Sequence, residues 1–237
     1  MTYIIADIHG CFDEYKKLLE KINFSDSDEM FILGDAMDRG KDSIKVIMDI
    51  MSRPNVTYIL GNHDYMMMCA LENLCVEITD ESIKNLTEEA MLSYYDWLEE
   101  GGSNTAKQFA ELNKNERADI IDYLKSASLY ETVDNDGVLY ILVHAGLSDF
   151  DLYKELDEYD AYGFLWERTD YSRNYFESDK IKLVTGHTPT ALIRPDRKPL
   201  VFQENGHIAL DCGCVFGGNL AAYCIETGEI TYVEKIK

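Results

Sequence analysis

The sequence predicts an α/β layered sandwich, and three observations carry the prediction. Apolar runs alternate with helical patterns through the first third, an acidic helix-favouring stretch interrupts them, and short apolar strands then return. The alternation runs Tyr3 to Ala6 then Phe12 to Ile22, Met30 to Leu33 then Ser43 to Met51, and Val56 to Leu60 then Tyr65 to Leu74. Strands that alternate with helices pair in parallel, with the helices packed on the sheet. Residues from about 76 to 127 read as a helical insertion over the sheet edge, turning at Gly101-Gly102-Ser103-Asn104. Such a segment either takes part in substrate choice or serves as a packing layer. Strands resume at Val138 to Val143, Ile181 to Thr185, Val201 to Gln203 and His207 to Asp211. Leu220 to Ile225 and Glu229 to Val233 follow as a hairpin across Thr227-Gly228. A second, mixed or antiparallel sheet is expected to pack on the first with helices outside, the 237 residues forming one domain.

Composition supports a packed core, with 46% hydrophobic and 28% charged residues. The 44 acidic residues against 22 basic give a formal charge of −22, which argues against a nucleic-acid groove or an anionic membrane partner. A phosphate-binding site on such a chain has to create its own positive pocket, from metal ions and a few arginines. The stretch Met1 to Asp7 has no basic leader, and no apolar run is long enough to span a bilayer, so a cytoplasmic protein is expected. Cys11, Cys69, Cys75, Cys212, Cys214 and Cys224 form no C-x-x-C pair and read as reduced thiols. Cys212-Gly213-Cys214 is read as packing in an apolar strand.

Five blocks carry the chemistry: Asp7-Ile8-His9-Gly10, Gly34-Asp35-Ala36-Met37-Asp38-Arg39-Gly40, Gly61-Asn62-His63-Asp64, His144-Ala145-Gly146 and Gly186-His187-Thr188-Pro189. Each sits on a glycine-marked turn after an apolar run. Most are weak signals alone, since a lone histidine or Asx turn is commonly structural. The second block is sharper, because two acids and a guanidinium between glycines are costly unless charge is needed there. Asp7, Asp35 and Asn62 are expected one or two residues beyond successive parallel strands, which brings them to one sheet edge. Carboxylate oxygen, amide oxygen and imidazole nitrogen together suit Mn²⁺, Fe or Zn²⁺. The combination points to a two-metal phosphate-ester hydrolase.

Over essentially the whole chain these motifs resemble the phosphoprotein phosphatase family of metallophosphatases. The resemblance extends to their bacterial and phage-type relatives and the symmetrical diadenosine tetraphosphate hydrolases. It implies the calcineurin-like metallophosphoesterase sandwich, two mixed β-sheets flanked by helices. It also implies two divalent metal ions, Mn²⁺ foremost, with Fe or Zn²⁺ as alternatives. Asp7 and His9 resemble ligands of the first ion, Asp35 the bridging carboxylate, and Asn62, His144 and His187 ligands of the second. His63 resembles a general acid oriented by Asp38, while Arg39 and Arg168 resemble the phosphate-gripping arginines. The family's usual glutamate after Asn-His is Asp64 here, which bears on support of the site and not on metal binding. His207 is read as a strand residue without a ligand role. The expected activity is a protein serine/threonine phosphatase using a metal-bridging hydroxide, acting on phosphorylated protein or small phosphate esters. The alternatives are hydrolysis of dinucleoside polyphosphates, against which the acidity counts, and a non-catalytic phosphate-binding scaffold.

Overall fold

The computed structural model describes residues 1–72 and 87–236, and among these two five-stranded sheets stack face to face. The first sheet begins as the alternation predicts. β1 (Thr2–Ile5), β2 (Glu29–Ile32) and β3 (Val56–Tyr58) pair in parallel, linked by α1 (Phe12–Lys21) and α2 (Ser43–Met51). α3 (Asn62–Glu72) follows β3; the expected helical stretch beyond residue 72, like the insertion before residue 87, lies outside the described residues. The insertion continues as α4 (Glu88–Trp97), a wide turn at Leu98–Gly102, α5 (Ser103–Glu111) and α6 (Lys114–Ser126). Gly101, at φ 116°, makes the bend that the Gly-Gly pair announced.

β4 (Tyr130–Asn135), β5 (Val138–Val143), β6 (Ile181–Thr185), β7 (Phe202–Glu204) and β8 (His207–Ala209) build the second sheet in the order β4-β5-β6-β8-β7. The sheet is mixed, because β5-β6 and β6-β8 are parallel while both edge strands are antiparallel. α7 (Ala161–Trp166) and α8 (Thr190–Ile193) lie in the connections flanking β6.

One expectation is corrected. β9 (Asn219–Cys224) and β10 (Ile230–Glu234), which the sequence order suggested for the second sheet, join the first, where β9 pairs antiparallel with β1. The hairpin covers the open edge of β1, an unpaired row of backbone groups that would otherwise face solvent.

Side chains alternate between two cores with the two-residue period of a strand. Ile4, Tyr140, Leu142, Val184, Ile208 and Tyr223 fill the space between the sheets. Ile5, Ile32 and Tyr58 face the other way and pack with Leu18, Ile47 and Met67 of the covering helices. Trp97, Phe109, Ile120 and Leu124 bring the insertion into this same core. No helix among the described residues is long and apolar enough to cross a membrane.

Candidate metal centre

The turns that carry the candidate ligands leave the strands by a sharp reversal of backbone hand. Asp7 (φ 50°), His9 (φ 44°), Asp35 (φ 52°), Asp38 (φ 66°), Arg39 (φ 62°) and His187 (φ 61°) all sit in the left-handed region. Each costs on the order of 1–3 kcal/mol for a residue with a Cβ, and such strain persists only where surroundings enforce it. The surroundings are neighbouring turns. His9 N donates to Asp35 O at 2.9 Å, Gly10 N to Ala36 O at 2.9 Å, and Gly186 N to His144 O at 2.8 Å. Asp35 and Asn62 stand three and four residues past their strands, further than the spacing implied, and Asn62 to Asp64 open α3 instead of forming a loop.

All six expected ligands converge. Asp35 Oδ2 lies 3.5 Å from His9 Nε2 and 3.6 Å from His144 Nε2. Asn62 Oδ1 lies 2.9 Å from His144 Nε2 and 3.0 Å from His187 Nδ1. Both oxygens of Asp7 accept from His187 N at 3.0 Å. Bare backbone makes the closeness possible: a Cβ on Gly61 would collide with the Asp35 carboxylate, and one on Gly186 with that of Asp7.

The donor set fits a divalent cation. His9 Nδ1 donates to Met37 O at 2.8 Å and His144 Nδ1 to Leu33 O at 2.7 Å, so each neutral ring turns an Nε2 lone pair inward. His144 Nε2 then faces oxygens of Asn62 and Asp35, an arrangement of lone pairs that a positive charge stabilises. At His9 Nε2 the positive charge is Arg39, whose Nη1 donates to it at 2.8 Å. Burial pushes His9 and His187 down to about 3 and lowers His144, favouring the neutral form that binds metal. Burial, followed by repulsion from Asp211 and Asp35, drives the Asp7 carboxyl well above the carboxylate range. A divalent ion among these acids would reverse that trend.

His63 Nδ1 donates to Asp38 Oδ2 at 3.1 Å, and Trp97 Nε1 donates to the same oxygen at 2.7 Å. The other ring nitrogen, His63 Nε2, is buried without a hydrogen-bond partner among the described residues. Asp38 N donates to Ser43 Oγ and Thr105 Oγ1, and Arg39 N to Gly101 O, so α5 and the turn before it brace this strained pair. Arg168 is exposed and donates to Thr188 Oγ1 at 3.0 Å. A cleft of about 640 Å³ is lined by Asp35, Arg39, Asn62, His63, Arg168 and His187, with Tyr162, Trp166 and Phe216 as aromatic walls.

Several participants were missed in the sequence. Asp211 is buried beside Asp7, its carboxyl pushed up to about 6 by burial, and it follows an apolar strand much as Asp7 does. Tyr58 O–H donates to Asp64 Oδ2 at 2.6 Å, and the same carboxylate oxygen accepts from Asp35 N at 2.8 Å. Neither Tyr58 nor Trp97 carries a local signal of this role. Cys212 packs between the sheets, as its apolar setting implies, whereas Cys214 meets Cys11 and Glu14 in a buried cluster. His207 lies in β8 against Tyr171 and Tyr175, its Nε2 donating to Arg173 O.

A family model described as calcineurin-like phosphoesterase matches residues 2–233. The asymmetrical bis(5'-nucleosyl)-tetraphosphatase PrpE of Oceanobacillus iheyensis is 30% identical over 256 residues, covering 97% of this chain and 90% of that protein. A crystal structure provisionally described as a diadenosine tetraphosphatase superposes with a TM-score of 0.65 at 20% identity, covering 100% of this chain and 94% of that one. A protein serine/threonine phosphatase from Saccharomyces cerevisiae superposes with a TM-score of 0.58 at 15% identity, covering 100% and 80%. These two superpositions speak to the fold alone.

Proposed function

Because this chain belongs to the calcineurin-like phosphoesterase family, we propose that it hydrolyses dinucleoside polyphosphates at a phosphoanhydride bond, using two divalent ions. Asp7 and His9 would hold one ion, Asn62, His144 and His187 the other, with Asp35 between them. The observation that carries this is the gathering of Asp7, His9, Asn62, His144 and His187 around Asp35, with Asp35, Asn62 and His187 lining a cleft walled by aromatic rings. Mn²⁺ is the first choice of metal, and the cytoplasm the compartment that suits free thiols.

Two features favour a dinucleotide over a phosphoprotein. A relative matched over nearly its full length is named as a dinucleoside tetraphosphatase. The cleft also pairs guanidiniums with flat rings: Arg39 lies 5.4 Å over Phe216, and Tyr162 stacks on Trp166 at 5.7 Å. Such surfaces receive phosphates and bases. The net acidity that argued against nucleotides is thus countered locally.

When bound, the ions supply acidified water and offset charge on the phosphate oxygens. Arg39 and Arg168, at the cleft, would hold the phosphoryl group, with Arg39 leaving His9 to do so. His63 Nε2 is free to donate a proton to the departing oxygen, and Asp38 orients the ring. That proton matters most for a serine or threonine alkoxide, so the His63-Asp38-Trp97 chain favours protein phosphatase activity as the second reading.

Turnover of diadenosine tetraphosphate compared with a phosphoserine peptide tests the choice. The proposal expects kcat/KM for the dinucleotide to be at least about tenfold higher; the reverse ratio establishes the second reading. A loaded protein that turns over neither substrate, nor p-nitrophenyl phosphate, defeats both in favour of a binding scaffold.

A further inference from the structure

Beside the catalytic cleft lies a second cavity of about 510 Å³ with a different chemical character. The two share Met66 and Trp166 in their walls and so are immediate neighbours. Tyr65 and Trp166 meet edge to face at 5.5 Å and present ring surface, and Trp97 closes the wall near Asp38. The polar groups are Thr87, Glu89, Ser93 and Asp96, with no lysine, arginine or histidine among the described lining residues. Such a lining repels phosphate and accepts hydrogen bonds from N–H and O–H donors. The described lining therefore suits a flat, donor-rich occupant without negative charge. A purine nucleoside has that chemistry, through its exocyclic amine and ribose hydroxyls, and the volume lies within the range of small-ligand pockets.

We propose that this cavity seats one nucleoside of the dinucleoside polyphosphate whose phosphates lie in the neighbouring cleft. Both guanidiniums, Arg39 and Arg168, stand in the cleft, alongside Asp35 and Glu100, whereas the described lining of the cavity holds Glu89 and Asp96 and no basic side chain, so the phosphates belong in the cleft and the nucleoside in the cavity. The assignment rests on the dinucleotide reading of the catalytic site, but the two fail separately.

The chain has two tryptophans, Trp97 and Trp166, and both line this cavity, so a ligand entering it alters intrinsic fluorescence. Adenosine is expected to quench the wild-type protein saturably, with the half-saturating concentration about tenfold higher in Ser93→Phe and in Asp96→Asn. Ser93→Phe fills the space, whereas Asp96→Asn keeps the shape and removes a charge. In steady state both variants raise KM for diadenosine tetraphosphate about tenfold and leave p-nitrophenyl phosphate turnover at the wild-type rate. Quenching indifferent to both substitutions, or equal losses on both substrates, overturns the nucleoside seat. Wild-type protein active on phosphopeptide but not on the dinucleotide overturns the catalytic reading instead, and the adenosine titration still decides the cavity.

Discussion

The ring of His63 is held at one nitrogen and open at the other, and its charge is set by opposed effects. Burial works against protonation, but the Asp35 charge and the hydrogen bond to Asp38 outweigh it and hold the imidazole above its ordinary value. An ion bound to Asp35 withdraws that carboxylate's contribution, leaving Asp38 as the main support. The protonated ring is the working form of an acid and is lost as pH rises through its pKa. Asp38→Asn should therefore move the alkaline limb of kcat on an ester substrate to lower pH, by about one unit. An unmoved limb would remove Asp38 from this role. Tyr58 makes a separate case, since its hydroxyl donates to Asp64 and accepts from Ala36 N at 3.0 Å. Tyr58→Phe leaves a buried N–H unsatisfied, and denaturant titration should register a loss of about 1–3 kcal/mol.

At the level of elements, the turns after β1, β2 and β6 and the start of α3 act as one unit because their backbones brace each other. Gly61→Ala puts a methyl against the Asp35 backbone and carboxylate, where rigid main chain cannot yield. The variant should remain folded by circular dichroism yet retain less than about a tenth of the metal measured by elemental analysis. The strand-turn-acid pattern at Asp7 and Asp35 was legible because parallel strands carry local signals and share an edge. The destination of the β9-β10 hairpin was not, since an antiparallel ribbon's local pattern does not say which sheet it joins. β4 also escaped notice: Tyr130–Asn135 is half-exposed and acidic, without the apolar alternation that marks β5. The residues that converge on Asp35 were readable as types in order, whereas Trp97 and Tyr58 reach the site only through the packing of distant segments.

For the molecule as a whole, the formal charge of −22 opposes approach of a polyanionic substrate even though the cleft itself holds arginines. Raising ionic strength screens that repulsion, so kcat/KM for diadenosine tetraphosphate should rise between low and physiological salt, while the Ki of an uncharged inhibitor should change little. With Asp7, Asp35 and Asp211 buried together, loss of the proposed ions should also destabilise the fold. Stripping the protein with chelator should lower Tm, and restoring Mn²⁺ at about a hundred times its Kd should return roughly 2.7 kcal/mol. The pairing of β1 with β9 has a consequence for biosynthesis. Ile4 must wait for its partner Tyr223, which leaves the ribosome long afterwards. Until then the strand leading into Asp7 has an exposed edge, so the earliest-made candidate ligand is among the last to be locked in place. Nascent chains that stop short of Tyr223 thus hold an incomplete site, whose first turn gains its sheet partner only once β9 has emerged.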